Sequence, residues 1–250
     1  SRTLPALLDE MAARRPDAEA VVGSGRRLSY AGLRAEARAT AKGLHALGIA
    51  RGNKVAILMG NMPEWVVADL AVTMLGAVTV ALNTWATVRE LEYMLHHSDA
   101  RALIVVPRYL KADYLAVLDE LEPHAERLPL LRHIVCLADA PPAPMVPFRD
   151  LAELGGGVTD AELDRIAAAV RPDDDAHLLY TSGSTSRPKG APLCHGSLIE
   201  NTFNIGERLH VRADDRFWLA VSLFWAFGCG NAMPNALSHG ACIVLQEHFD

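Results

Sequence analysis

Residues Leu178–Gly190 read Leu-Leu-Tyr-Thr-Ser-Gly-Ser-Thr-Ser-Arg-Pro-Lys-Gly, and their types and spacing suit the binding of an anion. Thr181, Ser182, Gly183, Ser184, Thr185 and Ser186 are small or hydroxylated, so they bury little and offer hydroxyl and backbone N–H donors. Arg187 and Lys189 add positive charge, Pro188 opposes helix formation, and Gly190 allows a tight exit. A polyphosphate satisfies all of these features. A Walker A loop needs Gly-x-x-x-x-Gly-Lys-Ser/Thr, whereas here Lys189 precedes Gly190. Ser186 and Lys189 have the Ser-x-x-Lys spacing of serine acyl-enzymes, but that pairing needs a helix, which Pro188 and Gly190 disfavour. A Ser/Thr-rich flexible linker is the plainest alternative.

The elements that must hold this loop alternate between helix and strand. Thr3–Arg15 predicts an amphipathic helix with Leu4, Leu7, Leu8 and Met11 on one face, stopped by Pro16. Val21 and Val22 predict a strand. Ser29 caps a second helix whose stripe runs Leu33, Ala37, Ala41, Leu44 and Leu47, with Gly48 just past its end. Strands are expected over 55–59 and 78–82, around a helix bracketed by Pro63 and Gly76. Thr87 and Glu90 have capping-box spacing and start a helix that turns Leu91, Met94 and Leu95 inward. A strand over 102–106, a helix over 109–125 and a strand over 133–137 follow. Pro141, Pro142, Pro144 and Pro147, with Gly155–Gly157, mark a surface connector over 138–157. Beyond it come a helix over 159–170, a strand over 176–180 leading to the loop, a helix over 197–209, a strand over 217–221, a helix over 226–237 and a strand over 241–245. Strands that are continuous apolar runs argue for mostly parallel sheets covered on both faces, hence an α/β fold. The organisation expected is a first α/β unit over 1–137, the connector over 138–157 and a loop-bearing α/β segment over 158–250.

Composition bounds the partners. The chain has 250 residues, half of them hydrophobic, which is ample for a large core. A formal net charge of -6 argues against a general nucleic-acid binder. Cys136, Cys194, Cys229 and Cys242 form no Cys-x-x-Cys pair, so neither a disulfide framework nor a zinc site is expected, and a reducing cytoplasm fits. The first thirty residues are charged throughout and no run of eighteen apolar residues occurs, which predicts neither signal peptide nor transmembrane helix. The ten histidines show no metal-ligand spacing and are assigned to core or solvent.

The loop resembles the phosphate-binding signature of the adenylate-forming (AMP-binding) superfamily, Tyr-Thr-Ser-Gly-Thr/Ser-Thr-Gly-x-Pro-Lys-Gly, and departs from it at Ser186, where the family has Gly. Leu28-Ser29-Tyr30 with Leu33 is similar to an early family element. Met74–Val78 with Leu82-Asn83 is similar to the family's Ala-Gly-Ala-Val turn, here with Ala81 in place of Pro. Ser222–Gly228 resembles the Pro-Leu-Phe-His-x-x-Gly motif of the acyl-CoA synthetase branch, with Ser222 for Pro and Trp225 for His.

The resemblance implies activation of a carboxylic acid by ATP, with Mg²⁺, to an acyl adenylate and pyrophosphate, then transfer of the acyl group to CoA, within fatty-acid or related metabolism. It places Lys189 and Thr181 as catalytic, Thr181–Ser186 with Lys189 on the nucleotide phosphates, Thr181 on the metal, and Trp225 with Gly228 at the acyl pocket. Ser186 implies a retuned ATP site, since a Gly there can use φ > 0. Core packing of Trp218, Phe224, Trp225 and Phe227 is the alternative, favoured for Trp218. Family members also carry a Tyr-Gly-x-Thr-Glu element, a Thr-Gly-Asp and a late catalytic Lys, none of which occurs in these residues. Losing two such donors at about 3 kcal/mol each slows a reaction by on the order of 10⁴-fold, so the expectation is an inactive fragment of a ligase. A non-catalytic nucleotide-binding or interaction module with a relict loop is the alternative from another class.

Overall fold

The computed structural model describes residues 2–181 and 187–248. Its strands in chain order are β1 (Glu19–Gly23), β2 (Arg26–Ser29), β3 (Lys54–Leu58), β4 (Val78–Ala81), β5 (Ala100–Val105), β6 (Arg108–Tyr109) and β7 (Ala112–Asp113). They continue with β8 (His133–Cys136), β9 (Val146–Pro147), β10 (Asp175–Thr181), β11 (Lys189–Cys194), β12 (Arg216–Leu219) and β13 (Cys242–Leu245). The larger sheet has seven strands in the order β11-β10-β4-β3-β5-β8-β9, and a second has four in the order β12-β13-β1-β2. All neighbours in both are parallel except the edge pairs β10–β11 and β1–β2, and β6–β7 form a separate antiparallel ribbon. This is the α/β class expected from the apolar strands.

Helix Pro63–Met74 lies between the two sheets, touching β1 on one side and β3 and β4 on the other. All its residues except Glu64 are buried. A helix apolar on every side suits that position and no surface one. Asp69 is its single buried charge, and it lies 2.9 Å (Oδ1) from Nε2 of the equally buried His177 on β10.

Local sequence signals land where their chemistry puts them. Ser29 Oγ accepts from Gly32 N at 3.1 Å, Thr87 and Glu90 close a full capping box, and Gly48 and Gly76 take positive φ after their helices. The connector over 138–157 is exposed or half-buried at every residue but two. Leu151 and Gly155 are buried on helix Tyr30–Ala46, where a Cβ on Gly43 would stand 2.2 Å from the Leu151 carbonyl oxygen, so the two backbones meet at that glycine. The expected helix over 109–125 is also broken. Leu110 takes φ +52° in the β6–β7 turn, Asp113 then caps helix Tyr114–Glu120, and Pro123 precedes a separate turn of helix, His124–Arg127. The expected helix over 226–237 is a π-helical turn, Gly228–Ala232, running into Met233–His239. Among the described residues no helix is long and apolar enough to cross a membrane.

Candidate active site at the carboxyl ends of the strands

The parallel strands β4 and β10 end side by side, with Leu179 opposite Ala81. In open α/β sheets ligands bind outside the carboxyl ends of such strands, because the loops that follow are free to carry polar groups. Thr181 is the last residue of β10 and Asn83 follows β4 by two residues, so both reach this edge. The Asn83 side chain accepts from Trp85 N at 2.8 Å and turns the chain there.

Lys189 begins β11, directly opposite Thr181 in the antiparallel β10–β11 pair. The pair therefore places the Lys189 and Thr181 backbones side by side at the base of the candidate phosphate loop. Ser182, Gly183, Ser184, Thr185 and Ser186 lie outside the described residues. The return strand was not expected from the sequence, where Gly190 served as a tight exit. Gly190 instead lies within a strand, where a Cβ would come 3.1 Å from Leu178 Cδ1, so its small size serves close packing. Pro192 is accommodated because β11 is an edge strand.

A cleft of about 90 Å³ opens beside this pair, lined by Thr181, Pro188, Ala81, Met94, Phe224 and Trp225 among others. Two of the expected site residues, Thr181 and Trp225, thus share one wall space. Gly228 does not line it. A Cβ there would meet the Ser222 carbonyl oxygen at 2.4 Å, so Gly228 lets the 222–228 segment close on itself beneath the cleft. Trp225 is 37% exposed and packs in an aromatic group with Phe224 (centroids 5.2 Å apart) and Trp85 (6.5 Å). Trp85 meets Phe224 edge-on at 5.5 Å, a favoured aromatic geometry. Trp218, expected in the core, is 60% exposed, with its indole N–H donating to Gln246 Oε1 at 2.8 Å.

Asn61, buried in the turn between β3 and helix Pro63–Met74, holds the 222–228 segment in place. Its Nδ2 lies 3.0 Å from the Val221 carbonyl and 3.1 Å from that of Gln246, while its Oδ1 accepts from Leu223 N at 2.7 Å. Gly60-Asn61-Met62-Pro63 looks in sequence like an ordinary turn, and nothing local distinguishes Asn61. Helix Val88–His97 steadies the loop's entry. The Tyr180 hydroxyl donates to the Met94 carbonyl at 3.2 Å and lies 2.9 Å from His97 Nδ1, and burial pushes its pKa up.

His195 is buried at the start of helix His195–Leu209, where Nδ1 accepts from Leu4 N at 3.2 Å. Burial, with His177 nearby, lowers its pKa to about 4, while Asp69 and Asp174 act weakly the other way. Below pH 6.5 the unfolded chain takes up a proton that the folded chain refuses until about pH 4. Stability should therefore fall as pH drops through that window, by up to about 3 kcal/mol from this group. His195→Asn, which keeps an acceptor for Leu4 N, should flatten that part of the pH–stability profile measured by urea unfolding. An unchanged profile would show that His195 titrates normally.

Comparison with known proteins gives the family of the chain. The family model of AMP-binding enzymes matches residues 8–250. The putative acyl-CoA synthetase YngI of Bacillus subtilis is 35% identical, with 99% of this chain and 47% of that protein covered. The acyl-CoA ligase SID4 of Ajellomyces capsulatus is 33% identical over 99% of this chain and 43% of that protein. The crystal structure of the anthranilate CoA ligase AuaEII with anthranoyl-AMP superposes with a TM-score of 0.88 at 27% identity, covering 99% of this chain and 45% of that one. The chain spans about half the length of the curated relatives it matches. With the loop signature, the strand-end cleft and these matches together, the chain belongs to the AMP-binding enzyme family, and its relatives there are acyl-CoA synthetases and ligases.

Proposed function

We propose that the protein carrying this chain is an acid–thiol ligase that activates a carboxylic acid with ATP and passes the acyl group to CoA. The observation that carries this reading is the pairing of Thr181 with Lys189 at the strand ends, beside a cleft walled by Trp225. A carboxylate is ionised at neutral pH and attacks the α-phosphorus without a general base. Its oxygen forms the new P–O bond as the bond to the bridging oxygen breaks, and pyrophosphate leaves. The CoA thiol then gives up its proton and attacks the acyl carbon, releasing AMP.

The obstacle in the first step is repulsion between anions, and the chain's groups act on it. Lys189 donates to the polyphosphate and offsets charge on the departing pyrophosphate. Thr181, with Ser182–Ser186 of the loop, binds phosphate oxygens. Thr181, exposed at the end of β10, would offer a hydroxyl oxygen to a Mg²⁺ ion, which would supply neutralisation of phosphate charge. Trp225 borders the acyl group, with Gly228 shaping the segment beneath.

The test is carboxylate-dependent ATP–pyrophosphate exchange, run on the protein carrying this chain and on the 250 residues alone. Exchange by the longer protein with one class of acid supports the ligase. The chain alone is expected to exchange on the order of 10⁴-fold more slowly, since it spans about half the relatives' length and lacks the further donors the resemblance names. No exchange with fatty, aromatic or small acids would overturn the reading.

A further inference from the structure

Beside the exit arm of the loop lies a second, polar cleft of about 590 Å³, set against helix Val88–His97 and bounded by Arg187 and Pro188. Its charges do not cancel. The Glu92 carboxylate is taken by Arg127 through two contacts, Nε at 2.8 Å and a terminal guanidinium nitrogen at 2.9 Å. The Glu90 carboxylate accepts from Thr87 N at 2.8 Å and Thr87 Oγ1 at 2.9 Å, closing the helix. Arg89 and Arg187 are exposed on the same cleft and have no ion pair among the described residues. The Arg187 guanidinium lies 5.5 Å from the centroid of the Tyr93 ring. A guanidinium resting on an aromatic face keeps its N–H edge free, and that edge matches phosphate oxygens in pairs.

We propose that this cleft is a phosphoryl-anion subsite in which Arg187, preset on Tyr93, and Arg89 bind phosphate oxygens. The acid–thiol ligase reading enters only in naming two sources of such an anion: the terminal phosphates of the nucleotide in the neighbouring loop, or the phosphates on the nucleotide end of the thiol co-substrate. Arg187 sits one residue before Pro188 and two before Lys189, so it can serve either source from the same position.

The experiment is calorimetric titration of the whole protein with inorganic pyrophosphate and, separately, with adenosine 3′,5′-bisphosphate. Arg187→Gln is expected to raise Kd for one of these probes about tenfold and Arg89→Gln somewhat less. Tyr93→Leu should raise it about threefold to fivefold, while Tyr93→Phe, which keeps the ring, stays within about twofold of wild type. A loss confined to pyrophosphate assigns the subsite to the nucleotide triphosphate, and a loss confined to the bisphosphate assigns it to the thiol co-substrate. Unchanged affinity for both probes in Arg187→Gln overturns the subsite. Equal losses in Tyr93→Phe and Tyr93→Leu overturn the preset geometry. Wild-type exchange measured alongside separates the two readings, because anion binding without exchange counts against the ligase and leaves the subsite standing.

Discussion

Lys189→Ala should lower carboxylate-dependent ATP–pyrophosphate exchange in the protein carrying this chain by about 10²–10³-fold, with the folded state unaffected. The magnitude is that of removing one preorganised donor from developing negative charge, about 3–4 kcal/mol of transition-state stabilisation. Lys189 is exposed at the start of an edge strand, so truncation removes no core contact. Its backbone partner Thr181 stays in register through the rest of the β10–β11 pair. The loss should appear mainly in kcat. A rise in KM for ATP with kcat unchanged would place the lysine in ground-state binding and remove it from the chemistry.

Asn61→Ala should cost about 3 kcal/mol of stability, a shift of roughly a hundredfold in the folding equilibrium. The substitution leaves the Leu223 N–H without its acceptor and deprives the Val221 and Gln246 carbonyls of a shared donor. Buried groups left unpaired cost about 1–3 kcal/mol each, and water entering the vacated space repays part of this. Because the three partners belong to the segments after β12 and β13, Phe224 and Trp225 should also lose their fixed places against Trp85. Urea unfolding followed by tryptophan fluorescence measures both effects. An unchanged midpoint with native emission would show that the 222–228 segment holds its shape without Asn61.

What could be read from the sequence was what is decided within a few residues. The capping box at Thr87 and Glu90, the cap at Ser29 and the glycines after two helices are local devices, and they formed as written. The α/β class followed from strands such as Val55–Leu58, apolar at consecutive positions because both faces are covered. The return strand β11 has no local signature, because Gly190 and Pro192 argue locally against a strand and only the neighbouring β10 makes one possible. Leu110 gave no turn signal, being a bulky residue at positive φ. For the site, the motif located Thr181 and Lys189, while the roles of Asn61, Trp85 and Tyr93 arise from partners far along the chain. Asn61 binds a residue 162 positions away, and no local pattern encodes that.

The pairing of β1 with β13, Val21 beside Ile243, also bears on how the protein is made. During synthesis at roughly 5–20 residues per second, the first strands leave the ribosome about 10–40 seconds before their parallel partner exists. Through that interval Ala20, Val21 and the apolar face of helix Leu4–Arg14 have their early neighbours, helices Tyr30–Ala46 and Pro63–Met74, but lack the rest of their cover, helix Met233–His239 and β13. The four-stranded sheet is thus the last part of this chain to close. Slow translation or an early nick should expose this amino-terminal segment to chaperones and proteases, while the β3–β4–β5 core, built from residues 54–105, can already be assembled.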